Sequence, residues 1–147
     1  MASDAQFLAA FEQQQWPLEQ WHHRDHIRLA YLYLRKYPFD EAAAKLRCGI
    51  KAHNQAHGIV DAPAAGYHET VTIAWLRLVQ AMLSEYGPPP ETESGDTGEA
   101  FCDAHPELMQ KTALRLFYSR ERLVSPHAKQ HFVEPDLAPL PTPRSGG

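Results

Sequence analysis

The chain has 147 residues and a mass of 16.6 kDa, the size of one domain, and such a domain buries about two-thirds of the surface its unfolded form exposes. It is 44% hydrophobic and 22% charged with a net charge of -4, an ordinary globular profile that argues against a basic nucleic-acid footprint. The longest apolar run, Leu29 to Leu34, falls far short of the roughly 20 residues of a bilayer span. Nothing in MASDAQFLAAFEQ reads as an export signal. Cys48 and Cys102 are too few for a disulfide framework, so a cytoplasmic protein with reduced thiols is expected.

Taken in chain order, Ser3 and Gln6 are spaced as a capping box. The helix they open runs from Ala5 to Gln15, with Phe7, Leu8 and Phe11 on one face, and Pro17 interrupts it. In HIRLAYLYLRKY, Ile27, Ala30, Tyr31 and Leu34 recur at helical spacing until Pro38. Asp40 is a good N-cap for a third helix, which carries Ala43, Leu46 and Ile50 toward Gly58. After the looser IVDAPAAG, the stretch HETVTIAWLRLVQAMLSEY has β-branched residues at its start. Period two fails at Arg77, whereas Val71, Ala74, Trp75, Leu78 and Met82 fit a helical stripe.

Gly87 and three prolines stop that helix. The following segment, about 87–104, carries acids with no base between them and reads as a mobile, solvated loop. Pro106 opens a further helix through ELMQKTALRLFY, and Ser125 with Pro126 opens a short last one. The tail EPDLAPLPTPRSGG is proline-rich, extended, and docked at most through Leu137 and Leu140. The expected fold is all-α: a compact single-domain bundle of five or six helices over 1–134, with an extended tail at 135–147.

The nine histidines are clustered. In Trp21-His22-His23-Arg24-Asp25-His26, His23 and His26 are spaced to share a helix face. Metal binding needs neutral imidazoles converging at about 2.0–2.1 Å, and two helical ligands want a third. His68, at the head of the most apolar helix, is the candidate, with His22 as the more exposed substitute for His23. Thr72 and Trp75 fall on the stripe of His68, and Glu69 is placed as general base or fourth ligand. The pairs His53 with His57 and His127 with His131 sit in polar surroundings and read as surface. Arg120 is a candidate for orienting a carboxylate or phosphate, while Arg122 reads as an ion pair. Cys48 reads as buried and inert. Cys102, among acids, is expected to have a raised pKa.

Three stretches, WHHRDHIRLAYLYL, GYHETVTIAW and FYSRERLVSPHAKQHFVEPDLAPLP, resemble a family of small bacterial all-helical proteins. The shared motifs are W-x-H-R-D-H, G-Y-H-E-T-x-T and Y-S-R-E-R-L, and the resemblance implies a grouping without a mechanism. The site design is loosely similar to that of the DinB-like bundles, which hold a metal with three histidines on two helices. In this chain the pair precedes the single histidine, the reverse of that order.

These residues point to a small helical metalloenzyme acting on a small polar molecule. His23, His26 and His68 would hold one divalent transition metal (zinc, copper, iron or nickel), with hydrolase, lyase or oxygenase chemistry. His68 and Glu69 are the catalytic candidates; Tyr67, Thr72 and Arg120 are the substrate-binding ones. The alternatives are a metal-free histidine acid–base isomerase or dehydratase and a non-enzymatic interaction module. A small-molecule substrate is the expected partner. Nucleic acid and membrane are disfavoured, and homo-oligomerisation is left open.

Overall fold

Side-chain caps at Ser3 and Ser125 start the first and last helices where the sequence places them, whereas the third helix starts at Phe39 with Pro38, not Asp40, at its N-cap. The computed structural model describes residues 2–142. Its elements are α1 (Asp4–Glu12), α2 (His23–Lys36), α3 (Phe39–Ala56), α4 (Glu69–Tyr86), α5 (Gly98–Ala104), α6 (Arg120–Leu123) and α7 (Pro126–Gln130). Short 3-10 turns occupy Leu18–Gln20, Pro106–Met109 and Lys111–Leu116. The fold is all-α, and its backbone pairing outside helices and turns is a single isolated bridge, Ala62 to Ala65, among the described residues. None of the described helices is long and apolar enough to cross a membrane.

Seven consecutive α2 residues, Ile27 to Tyr33, are buried. A run longer than a full turn leaves no solvent face, so α2 must be surrounded. It packs against α3, α4 and α5, which form the bundle around it. The first helix closes one end through Phe7 and Phe11, both fully buried. Gly49 makes that approach feasible, because a Cβ there would come within 2.4 Å of the Phe11 ring.

Arg28 lies within the buried run of α2 at 3% exposure. A buried guanidinium is costly unless its charge and donors are met. Asp4 Oδ1 accepts from Arg28 Nε at 3.0 Å and Nη2 at 2.9 Å. Its Oδ2 accepts from the backbone of Thr97 and Gly98, both at 3.0 Å. The same guanidinium donates to Ala2 O and lies 4.4 Å over the Phe7 ring. One carboxylate therefore ties the first helix, the central helix and the start of α5 together.

That knot explains a difference from expectation. The acidic stretch ends in helix α5, with Phe101 and Cys102 buried. Glu99 and Asp103 meet Arg24 at 2.8 Å, and Glu99 reaches Arg28 at 3.5 Å. The bases that balance these acids come from α2, some 75 residues away in sequence. Local composition could not reveal them.

A second difference lies at 106–116, where the expected α-helix is two 3-10 turns. Gln110 is extended (φ -92°, ψ 105°) and breaks the ladder between them. Leu108 and Leu114 still reach the core. In the tail, Leu140 is buried while Leu137 is 58% exposed, so Leu140 is the leucine that docks. Asp136 fastens the tail by accepting from Ser119 N and Oγ at 2.8 and 2.6 Å. The remaining tail residues, 143–147, lie outside the described residues.

Replacing Asp4 with Ala is expected to cost about 3 kcal/mol, because Arg28 loses its closest carboxylate and keeps only Glu99 at 3.5 Å. Urea midpoints would measure it, with exposed Glu93→Ala as a control within about 0.5 kcal/mol. Equal losses in the two variants would show that the knot contributes no special stability.

Candidate functional site

His68 occupies the N-cap of α4, and both of its ring nitrogens are committed. Nδ1 accepts from Val71 N at 3.1 Å, so Nε2 carries the proton and donates to Leu123 O at 2.7 Å. His23 Nε2 is likewise spent on Leu108 O at 2.8 Å, with its ring edge-on to Trp75. The expected triad of His23, His26 and His68 is therefore not assembled. Among the described residues no group of three His, Cys, Asp or Glu is placed to hold a metal ion. The physical reason is that α4 begins with its histidine turned to cap its own backbone.

The histidines that do gather are different ones. Trp21 sits between His26 and His53, with ring centroids 5.1 and 4.8 Å away. His57 packs on His53 at 4.4 Å and donates to Trp16 O from Nε2. His53 is fully buried, which corrects the surface expectation for this pair. It continues the inward stripe of Leu46 and Ile50 at helical spacing, a signal present in the sequence but masked by polar neighbours. His26 Nε2 and both nitrogens of His53 are buried without a hydrogen-bond partner among the described residues.

Burial favours the neutral form of His26, His53 and His23. It pushes His26 down to about 4, with His23, Lys111 and His53 adding to the effect. Burial also lowers His23, against the opposing bond to Leu108, and lowers His53, with His57 adding to it. Trp21, His22, His23, His26 and Lys111 line a cleft of about 370 Å³ beside the cluster. The Lys111 ammonium, which disfavours protonation of His23 and His26, also opposes a metal cation in that cleft.

A roomier cleft, about 730 Å³, opens between α3, the 59–67 segment and α7. It takes in two of the expected residues, Tyr67 and Glu69. Arg47 clamps Glu69 with two parallel bonds, Nε to Oε1 at 2.9 Å and Nη2 to Oε2 at 2.7 Å. Tyr67 OH donates to Glu69 Oε1 at 2.6 Å. Burial alone would raise the Glu69 carboxyl, but the bonds from Arg47 and Tyr67 outweigh it and hold it below the ordinary range. Burial and the bond to Glu69 raise Tyr67, so it stays a hydroxyl. This geometry suits fixed recognition; Glu69, acidified and doubly clamped, is poorly placed as a general base.

Lys129, only 13% exposed, crosses the floor of that cleft to Asp61 and to Tyr67 O. Lys51 lies 5.0 Å over the Tyr67 ring. Arg47, Lys51 and Lys129 were missed because a basic i, i+4 pair on a helix ordinarily reads as a solvated face. Two expected substrate contacts fall elsewhere. Thr72 is buried and donates back to His68 O at 2.9 Å. Arg120 is exposed in the first turn of α6 and does not line the cleft. His22 is exposed, and its backbone N–H donates to Asp25.

The cysteines reverse one expectation. Cys48 is exposed on α3 and Cys102 is buried. Cys102 is pushed up to about 12 by burial first, with Glu99 and Asp103 adding to it against Arg24 and Arg28.

Because the folded His26 sits near 4 and its unfolded value is 6.5, the unfolded chain takes up that proton first. Stability is thus expected to fall as pH drops from about 6.5 to about 4, by up to about 3 kcal/mol from this group. Urea midpoints at pH 7 and 4.5 should differ less in His26→Leu than in the wild type; equal differences would refute the assignment. A disulfide-exchange reagent should modify Cys48 quickly and Cys102 only on unfolding. Two fast-reacting thiols in the native protein would contradict this.

Compared with known proteins, the chain matches no family model, no curated relative and no solved structure.

Proposed function

We propose that this protein binds a small polar molecule in the cleft formed by Arg47, Tyr67 and Glu69. The single observation that carries the reading is the preformed Arg47–Glu69–Tyr67 array in the wall of a cleft of about 730 Å³. Ligand sites commonly measure about 300–1,000 Å³ and combine an apolar lining with a few fixed polar groups. Here Ile59, Pro63, Val124 and Pro126 supply the first, and the clamped carboxylate and hydroxyl the second.

The array is also expensive to orient at the moment of binding, so having it set in advance favours affinity. A metalloenzyme built on His23, His26 and His68 is less well supported, since His68 would have to release both of its hydrogen bonds. Acid–base chemistry at the neutral histidines is the competing reading, because His26 Nε2 has no hydrogen-bond partner among the described residues.

The test is a titration of isotope-labelled protein with a library of small polar compounds, followed by amide resonances. Binders are expected to perturb residues 59–69 and 126–130. Their effects should weaken at least about fivefold in Tyr67→Phe and in the paired variant Arg47→Met with Glu69→Gln. Binders that instead cluster around Trp21 and His26 in both wild type and variants would overturn this assignment in favour of the histidine cleft.

A further inference from the structure

The charges around the cleft do not cancel. Glu69 is neutralised by Arg47, and Asp61 by Lys129. That leaves Lys51, whose ammonium has no carboxylate at ion-pair distance among the described residues. Arg47 and Lys51 stand one turn apart on α3, so their side chains share one wall. Arg47 spends Nε and Nη2 on Glu69 and also interacts with Tyr67. The next turn adds the amides of Asn54 and Gln55. A chain with a net charge of -4 thus presents a cleft with one uncompensated positive charge.

The facing side has another character. Ile59 and Pro63 come from the connecting segment, and Val124 from the end of α6. Val124 is 63% exposed, an apolar side chain left in water at the rim. A ligand that met both walls would cover that surface and bring one negative charge. A phosphate monoester carries about -1.5 to -2 at neutral pH and would exceed the surplus.

Resting on the cleft being the ligand site, we infer that its occupant is a small monoanionic carboxylic acid with an apolar body. The carboxylate lies on Lys51 beside Arg47, and the hydrocarbon lies against Ile59, Pro63 and Val124. Lys51 is then the residue that selects acids over neutral analogues. It is exposed on α3, and its replacement leaves the buried contacts of that helix intact.

Calorimetric and NMR titrations with 4-phenylbutyrate, its neutral amide 4-phenylbutyramide, and acetate test this. The acid is expected to bind about tenfold or more tightly than the amide, with weakening as salt rises. Its amide shifts should fall at 47–55 and 59–67. Lys51→Gln should bring acid and amide within about twofold of each other, and Lys51→Arg should restore the gap. Equal binding of acid and amide in the cleft would overturn the charge inference while leaving the cleft as the site. Acetate binding as tightly as 4-phenylbutyrate would overturn the apolar body. Failure of the acid and the amide to bind in the cleft would overturn both the inference and the reading beneath it.

Discussion

A buried guanidinium organises this fold. Arg28 sits in the middle of the central helix, where an unpaired charge would be intolerable. Every element that satisfies it is thereby placed: the N-terminus through Ala2 and Asp4, and the start of α5 through the other oxygen of Asp4 and through Glu99. The close fit extends to the backbone, since a Cβ at Gly98 would lie 2.5 Å from Asp4 Oδ1. A well-packed apolar side chain in place of Arg28 would serve burial equally well. What the ion pair adds is direction, because the carboxylate on α1 accepts bonds from two other parts of the chain, α2 and the start of α5.

The two clefts use opposite electrostatics. Around Trp21, burial lowers His23, His26 and His53 and favours their neutral forms. Around Tyr67 the groups are fixed in charge: Glu69 is held by Arg47 and Tyr67, Asp61 by Lys129, and Lys51 alone stands over the Tyr67 ring. Neutral imidazoles can exchange protons but attract ions weakly. Clamped ions recognise charge but exchange no proton near neutral pH. The larger cleft is the one walled by fixed charges.

Helix α3 connects the two. Leu46, Ile50 and His53 lie on its buried face, against the aromatic rings of α1 and Trp21. Arg47, Lys51 and Asn54 lie one position on, along the cleft. Each inward residue is thus followed immediately by an outward polar one. The same 3.6-residue period builds the core and aims the binding wall.

Much of the architecture was legible without coordinates. The capping box at Ser3, the apolar stripes of α2 and α4, and the serine cap at Ser125 are local signals, decided within a few residues. Tyr67 and Glu69 also stood out, because their motif concentrates functional groups. Tertiary structure alone decided the remainder. Glu99 and Asp103 became structured once Arg24 and Arg28 arrived from another helix, and His68 was spent on a cap and on Leu123. Arg47 became a site residue through a carboxylate that lies 22 positions away. Hydrogen bonding and ion pairing act through space over a few ångströms, whereas sequence spacing reports only the neighbours within one turn or two.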